Sequence, residues 1–160
     1  TVWFGAAAQI CNTLLFAVDH HGGSEENQIG WEWHDPTLVD ASTGRLNTLP
    51  HFEKTMSRAQ LTDTVRTVVG DSPTIASTWT QEIAMCFIDG GHARDVAAND
   101  YAAWNGHIAL GGILAIHDVF TDPALGGQAP YEEIYLAAIN SGKFADVSAT
   151  GSLRVLTRVK

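Results

Sequence analysis

The sequence predicts an α/β fold: a Rossmann-like, mostly parallel sheet with helices on both faces and a C-terminal antiparallel β-hairpin. Three observations predict it. Four apolar runs each stop at an aspartate: Leu14 to Val18 at Asp19, Val65 to Val69 at Gly70-Asp71, Ile83 to Ile88 at Asp89, and Ile113 to Ile116 at His117-Asp118. Segments with helical spacing separate these runs, which is the alternation that builds a parallel sheet. The chain then closes with Phe144 to Ser148, the turn Thr150-Gly151-Ser152, and Leu153 to Val159, spaced as a hairpin. In open α/β sheets ligands bind outside the carboxyl ends of the strands, so the repetition is expected to set four acids around one crevice.

Taken in order, residues 2 to 12 are apolar and alanine-rich and end at Asn12, a helix stop. The first strand delivers Asp19-His20-His21. From about 22 to 47 the periodicity fails, with Gly22-Gly23, Glu25-Glu26, Trp31, Trp33 and Pro36. A loop of this length is expected to be a lid, a binding loop or an insertion, its tryptophans roofing a ligand or buried beneath it. Glu25 and Glu26 are expected in a solvated turn. Thr48-Leu49-Pro50 opens a helix with Phe52, Met56 and Ala59 on one face. After the second strand, Gly70-Asp71-Ser72-Pro73 leads into a short helix carrying Ile75, Ala76 and Trp79.

Ile83 to Ile88 is apolar at every position, which suits a strand buried on both faces. Residues 93 to 108 are expected to form an amphipathic helix with Ala97, Tyr101, Trp104 and Ile108 on one stripe, Asp95 in its first turn, and Asp100 facing solvent or capping a neighbour. Gly111-Gly112 is expected to launch the fourth strand. A turn-rich stretch, Thr121 to Pro130, precedes a helix from Tyr131 to about Asn140, capped by Ser141-Gly142.

At 160 residues the chain reads as a single domain. Its net charge of -9, from 18 acids and 9 bases, argues against nucleic acid or an anionic membrane as partner and favours a small molecule or a cation. Two cysteines make no disulfide framework. Cys11 and Cys86 are expected as small core residues in a reduced, cytoplasmic protein.

The run Phe87-Ile88-Asp89-Gly90-Gly91-His92, then Asp100, then Gly111-Gly112-Ile113-Leu114-Ala115-Ile116-His117-Asp118 resembles the class I S-adenosylmethionine-dependent methyltransferases. More narrowly, it is similar to a bacterial group with "IDG-H" after the fourth strand and "GG…HD" after the fifth. The resemblance implies S-adenosylmethionine as cofactor and a small-molecule methyl acceptor, with a homo-oligomer left open. It implies that Asp19 binds the cofactor's ribose, with His20 beside it, and that Asp71 and Ser72 lie by the adenine. The family's glycine-rich cofactor loop would precede Thr1, so the domain is expected to be N-terminally incomplete.

Some oxygen methyltransferases hold magnesium with acids ending the fourth and fifth strands, the positions of Asp89 and Asp118. The usual third ligand falls at Val119, which leaves His117 or water to fill the place; Asp89 counts in both the cofactor and metal sets. His92 is the candidate general base, because imidazole titrates near neutral pH, or else a helix-start histidine bonded to backbone. His20 and His21 orient Asp19 or pack under the long loop. Two other readings stay open. Asp19-His20-His21 and His117-Asp118 imitate the "DHH" and "HD" ligand signatures of metal-dependent phosphohydrolases, although further ligand motifs are missing. A non-catalytic methyltransferase-fold protein is the third.

Overall fold

The computed structural model describes residues 1–160, which divide into two compact units, Thr1–Ile75 and Ala76–Lys160. In the first, helix α1 (Val2–Ile10) leads to strand β1 (Leu15–Asp19), then a long loop, helix α2 (Leu49–Arg58), strand β2 (Val65–Val69) and the start of helix α3 (Ser72–Thr78). β1 and β2 pair in parallel from Leu15↔Val65 to Asp19↔Val69. Their shared register puts Asp19 and Asp71 at one end of this two-stranded sheet. Met56, Leu61 and Val65 form its core, with Phe52 and Ala59 packed against them, as the spacing of α2 predicts.

The loop between β1 and α2 is ordered by its own polar groups. It holds two 3-10 turns, Glu25–Asn27 and Pro36–Leu38, followed by an antiparallel bridge between Val39 and Leu46. The Thr48 amide donates to the His21 carbonyl at 3.0 Å, closing the base of the loop. Burial under the loop is overturned for both tryptophans: Trp31 and Trp33 are 54% and 67% exposed. Cys11, the C-cap of α1, is likewise exposed rather than core.

The second unit holds strand β3 (Ile83–Ile88), helix α4 (Arg94–Trp104), strand β4 (Ile108–Ile116), a π-helix (Pro130–Tyr135) running into α5 (Leu136–Asn140), and the hairpin β5 (Phe144–Thr150) and β6 (Leu153–Arg158). Its sheet has the order β3-β4-β6-β5; β3 and β4 are parallel, and the other two pairings antiparallel. The Rossmann-like α/β fold with a C-terminal antiparallel hairpin is the one predicted; the strands that precede the hairpin pair in parallel, β1 with β2 and β3 with β4, in two separate sheets. Ile108, Leu114, Ile116 and Leu156 are fully buried, and Ala97, Tyr101, Ile134 and Ala138 pack with them from the helices.

Three expectations need correction here. The helix after Asp89 ends at Trp104, where the Asn105 side chain donates to the Tyr101 carbonyl at 2.8 Å, and Ile108 opens β4. The glycine pair lies inside that strand and forms a bulge: the partner of Ile83 is Ile108, but that of Met85 is Ile113. Gly111 takes φ +79°, and a Cβ on Gly112 would meet the Ala109 carbonyl oxygen at 2.8 Å, so glycine is required there. Finally, β3 is not buried on both faces. Cys86 and Ile88 pack into the core while Met85, on the opposite face of the strand, is 44% exposed. No helix is long and apolar enough to cross a membrane.

Candidate active site

Parallel pairing of β3 with β4 assembles the site. Ile88 is the partner of Ile116, and the His117 amide donates to the Ile88 carbonyl at 3.1 Å, so Asp89 and His117-Asp118 leave the sheet side by side. His117 Nδ1 lies 3.1 Å from Asp89 Oδ1 and 3.1 Å from Asp118 Oδ1. Neither approach has the angles of a hydrogen bond, and the nitrogen is buried without a hydrogen-bond partner. The ligand atoms of Asp89, His117 and Asp118 all lie within 4.8 Å of one another. Adjacent ligands around a cation with metal–ligand distances of about 2.1 Å stand roughly 3 Å apart, which is the spacing found from His117 to each carboxylate. Two hard oxygens and one nitrogen, the nitrogen buried without a hydrogen-bond partner, thus fit a divalent cation.

The other oxygen of Asp118, Oδ2, lies 3.1 Å from His92 Nε2. One carboxylate therefore serves two histidines. Asp118 is a non-glycine residue at φ +53°, a conformation that persists only when its surroundings impose it. The anchors are on either side: the His117 amide on Ile88, and the Val119 amide on the Ser152 carbonyl at 2.8 Å. Val119 is 1% exposed and belongs to the core, so it offers the site nothing but position.

His92 sits just before α4, 36% exposed, its side chain turned to Asp118 rather than confined to backbone contacts. The segment opposite is held in place by ion pairs from Arg94 to Glu132 and to Glu133, the latter at 2.9 Å. A small cavity of about 10 Å³, room for roughly one water, is lined by Asp89, Gly90, Gly91, His92, Asp100 and His117 with Pro130 and Ile134 of the π-helix. Helical π-turns recur at functional sites.

Asp100 is 9% exposed, and its expected position facing solvent is overturned. It lies three residues past Ala97 and four before Trp104, on the buried stripe of α4; that spacing was the signal available in the sequence. Burial, and secondarily the Asp100 charge, push the Cys86 thiol up to about 12.

In the first unit, Asp19 Oδ1 accepts from the His21 amide at 2.8 Å. His20 is exposed and its Nδ1 accepts from the Gly22 amide at 2.9 Å. His21 is 5% exposed at φ +60°, with Nδ1 2.8 Å from Thr48 Oγ1 and its ring tilted over Phe52; its function there is packing and closing the loop. Asp71 Oδ2 accepts from the Thr74 hydroxyl at 2.6 Å and the Thr74 amide at 3.1 Å. These bonds, the hydroxyl's first, hold its carboxyl below the usual range. Asp71 is thus the N-cap of α3, and Ser72 is the helix's first residue.

Residues 1–119 match the family described as a methyltransferase domain. Among solved structures, the O-methyltransferase NovP superposes with a TM-score of 0.69 at 11% identity, over 99% of this chain and 66% of that one. CalS11, a TDP-rhamnose 3′-O-methyltransferase of calicheamicin biosynthesis, gives 0.61 at 12% over 98% and 65%. MycE of mycinamycin biosynthesis, in complex with Mg, S-adenosylhomocysteine and mycinamycin VI, gives 0.52 at 13% over 99% and 48%. At these identities the likeness is one of fold. The chain spans just under two thirds of the length of the first two proteins and about half that of the third.

Proposed function

The chain belongs to the methyltransferase domain family, and from that premise we propose that it transfers the methyl group of S-adenosylmethionine to a hydroxyl oxygen of a small molecule, with a divalent cation at Asp89, His117 and Asp118. The observation that carries this reading is the shared Asp118 carboxylate, 3.1 Å from His92 on one oxygen and 3.1 Å from His117 on the other. It couples a base to a ligand cluster. The Mg named with MycE and the O-methyltransferase activities named for NovP and CalS11 support it.

In the reaction the acceptor oxygen attacks the methyl carbon, the carbon–sulfur bond breaks, and its electron pair stays on sulfur. Alignment supplies most of the acceleration, and the remaining need is removal of the hydroxyl proton. His92 takes it. With Nε2–H donated to Asp118, the ring lone pair lies on Nδ1, and the imidazolium that forms is stabilised by the Asp118 carboxylate. When bound, the cation orients the acceptor oxygen and lowers its pKa. Asp19 is assigned to the ribose hydroxyls, with His20 beside it, and Asp71 and Ser72 to the adenine side, as the family resemblance implies. Because the Asp71 carboxylate already caps α3, its contribution to the cofactor is expected to come through the position of that helix.

The test is calorimetry of the full protein with S-adenosylhomocysteine, followed by assay of methyl transfer to a panel of sugar, polyketide and phenolic hydroxyls with and without magnesium. Micromolar binding and metal-stimulated transfer are expected. Absence of binding overturns the reading, and hydrolysis of a generic phosphodiester with manganese would replace it with the phosphohydrolase.

A further inference from the structure

We propose that Asp100 is a positioning residue of this site: its buried carboxylate, lodged against Gly90, holds the Asp89–His92 turn in the shape that aims both of those side chains. The inference rests on the reading above and adds a residue that reading does not use.

Asp100 is the one buried carboxylate of the chain. Burying a carboxylate on the same helix stripe as Ala97, Tyr101 and Trp104 is unfavourable, where burying an apolar side chain is favourable, unless surrounding polar groups receive it. The turn approaches it closely. A Cβ on Gly90 would stand 2.7 Å from Asp100 Oδ2, so a side chain at position 90 would have to displace that carboxylate. Gly90 is thus a glycine because Asp100 is beneath it.

The turn also needs an anchor. Asp89 and His92 are joined only by Gly90-Gly91, the most flexible dipeptide available, yet ligand and base must each be held closely to act. Asp89 is fixed on one side by β3. Asp100 supplies a fixed point on the other, because it projects from the second turn of α4, a rigid element packed into the core. It also lines the cavity shared by Asp89, His92 and His117.

The experiment compares wild type, Asp100→Ala, Asp100→Asn, Gly90→Ala and the double variant of Gly90→Ala with Asp100→Ala in the full protein. Mn²⁺ affinity is read by electron paramagnetic resonance, S-adenosylhomocysteine affinity by calorimetry, and kcat, KM and Tm alongside. Asp100→Ala is expected to weaken Mn²⁺ binding and lower kcat by about 10–100-fold with cofactor affinity unchanged. Asp100→Asn, which keeps the shape but exchanges one acceptor oxygen for a donor, should lose about several-fold with Tm near wild type. Gly90→Ala should cost about tenfold alone and nothing further on top of Asp100→Ala. Wild-type Mn²⁺ affinity and kcat in Asp100→Asn, or additive losses in the double variant, overturn the proposal. A wild-type protein that binds neither Mn²⁺ nor S-adenosylhomocysteine overturns the parent reading and this one with it.

Discussion

His92 Nε2 and Asp118 Oδ2 lie 3.1 Å apart, across a gap of 26 residues, and the contact defines which nitrogen of His92 carries the proton. His92→Ala should lower kcat by about 10²–10⁴-fold, the usual size of a general-base contribution, with S-adenosylhomocysteine affinity unchanged. His92→Gln should not restore activity, since an amide cannot take a proton at neutral pH. Steady-state kinetics beside calorimetry check both, and a His92→Ala protein with wild-type kcat would assign the base elsewhere.

The ligand set contains an imidazole where an all-oxygen site would favour magnesium. Imidazole suits Ni²⁺, Zn²⁺ and their neighbours, whereas carboxylates and water suit Mg²⁺. Ni²⁺ is therefore expected to bind more tightly than Mg²⁺, and His117→Asp to narrow that preference. Asp89→Ala should abolish binding of both ions, and EDTA should remove the metal-stimulated part of activity. Titration of each ion into the metal-free protein decides it.

Asp71 caps α3 through Thr74, and its lowered pKa sets a pH dependence. A carboxyl whose folded pKa is depressed contributes stability that is present above its ordinary value of 3.8 and lost as the pH falls through the folded value. Asp71→Ala should therefore lower Tm at pH 7, and the difference from wild type should close below pH 3.8. Thermal melts from pH 7 down to about 3 follow it, and a gap independent of pH would remove the charge from the explanation.

Cys86 and Cys11 should differ sharply towards thiol reagents. The Cys86 thiol, raised from 9.0 to about 12 by burial and by Asp100, has almost no thiolate at pH 8, whereas Cys11 is exposed. One thiol per chain should react in the native protein and both after denaturation. The raised pKa also stabilises the fold below pH 9.0, a contribution lost as the pH climbs towards about 12. Equal native labelling of both cysteines, mapped by mass spectrometry, would contradict this.

By itself the sequence determined the alternation of strands and helices, the closing hairpin, and the residues at the strand ends. Apolar runs and the first polar residue after them are local properties of the chain, so Asp19, Asp89 and His117-Asp118 are visible without a structure. The apolar face of α2 is legible for the same reason. Tertiary structure alone decided what depends on contacts between distant segments. Ile108 belongs to β4 because it pairs with Ile83, and Gly112 must be glycine because the Ala84 and Ala109 carbonyls crowd it at the bulge. Asp100 is buried because a turn ten residues earlier folds over it, and Asp118 adopts φ +53° because Ile88 and Ser152 hold its neighbours. Periodicity can say which side of an element is apolar; only packing says which polar group is enclosed with it.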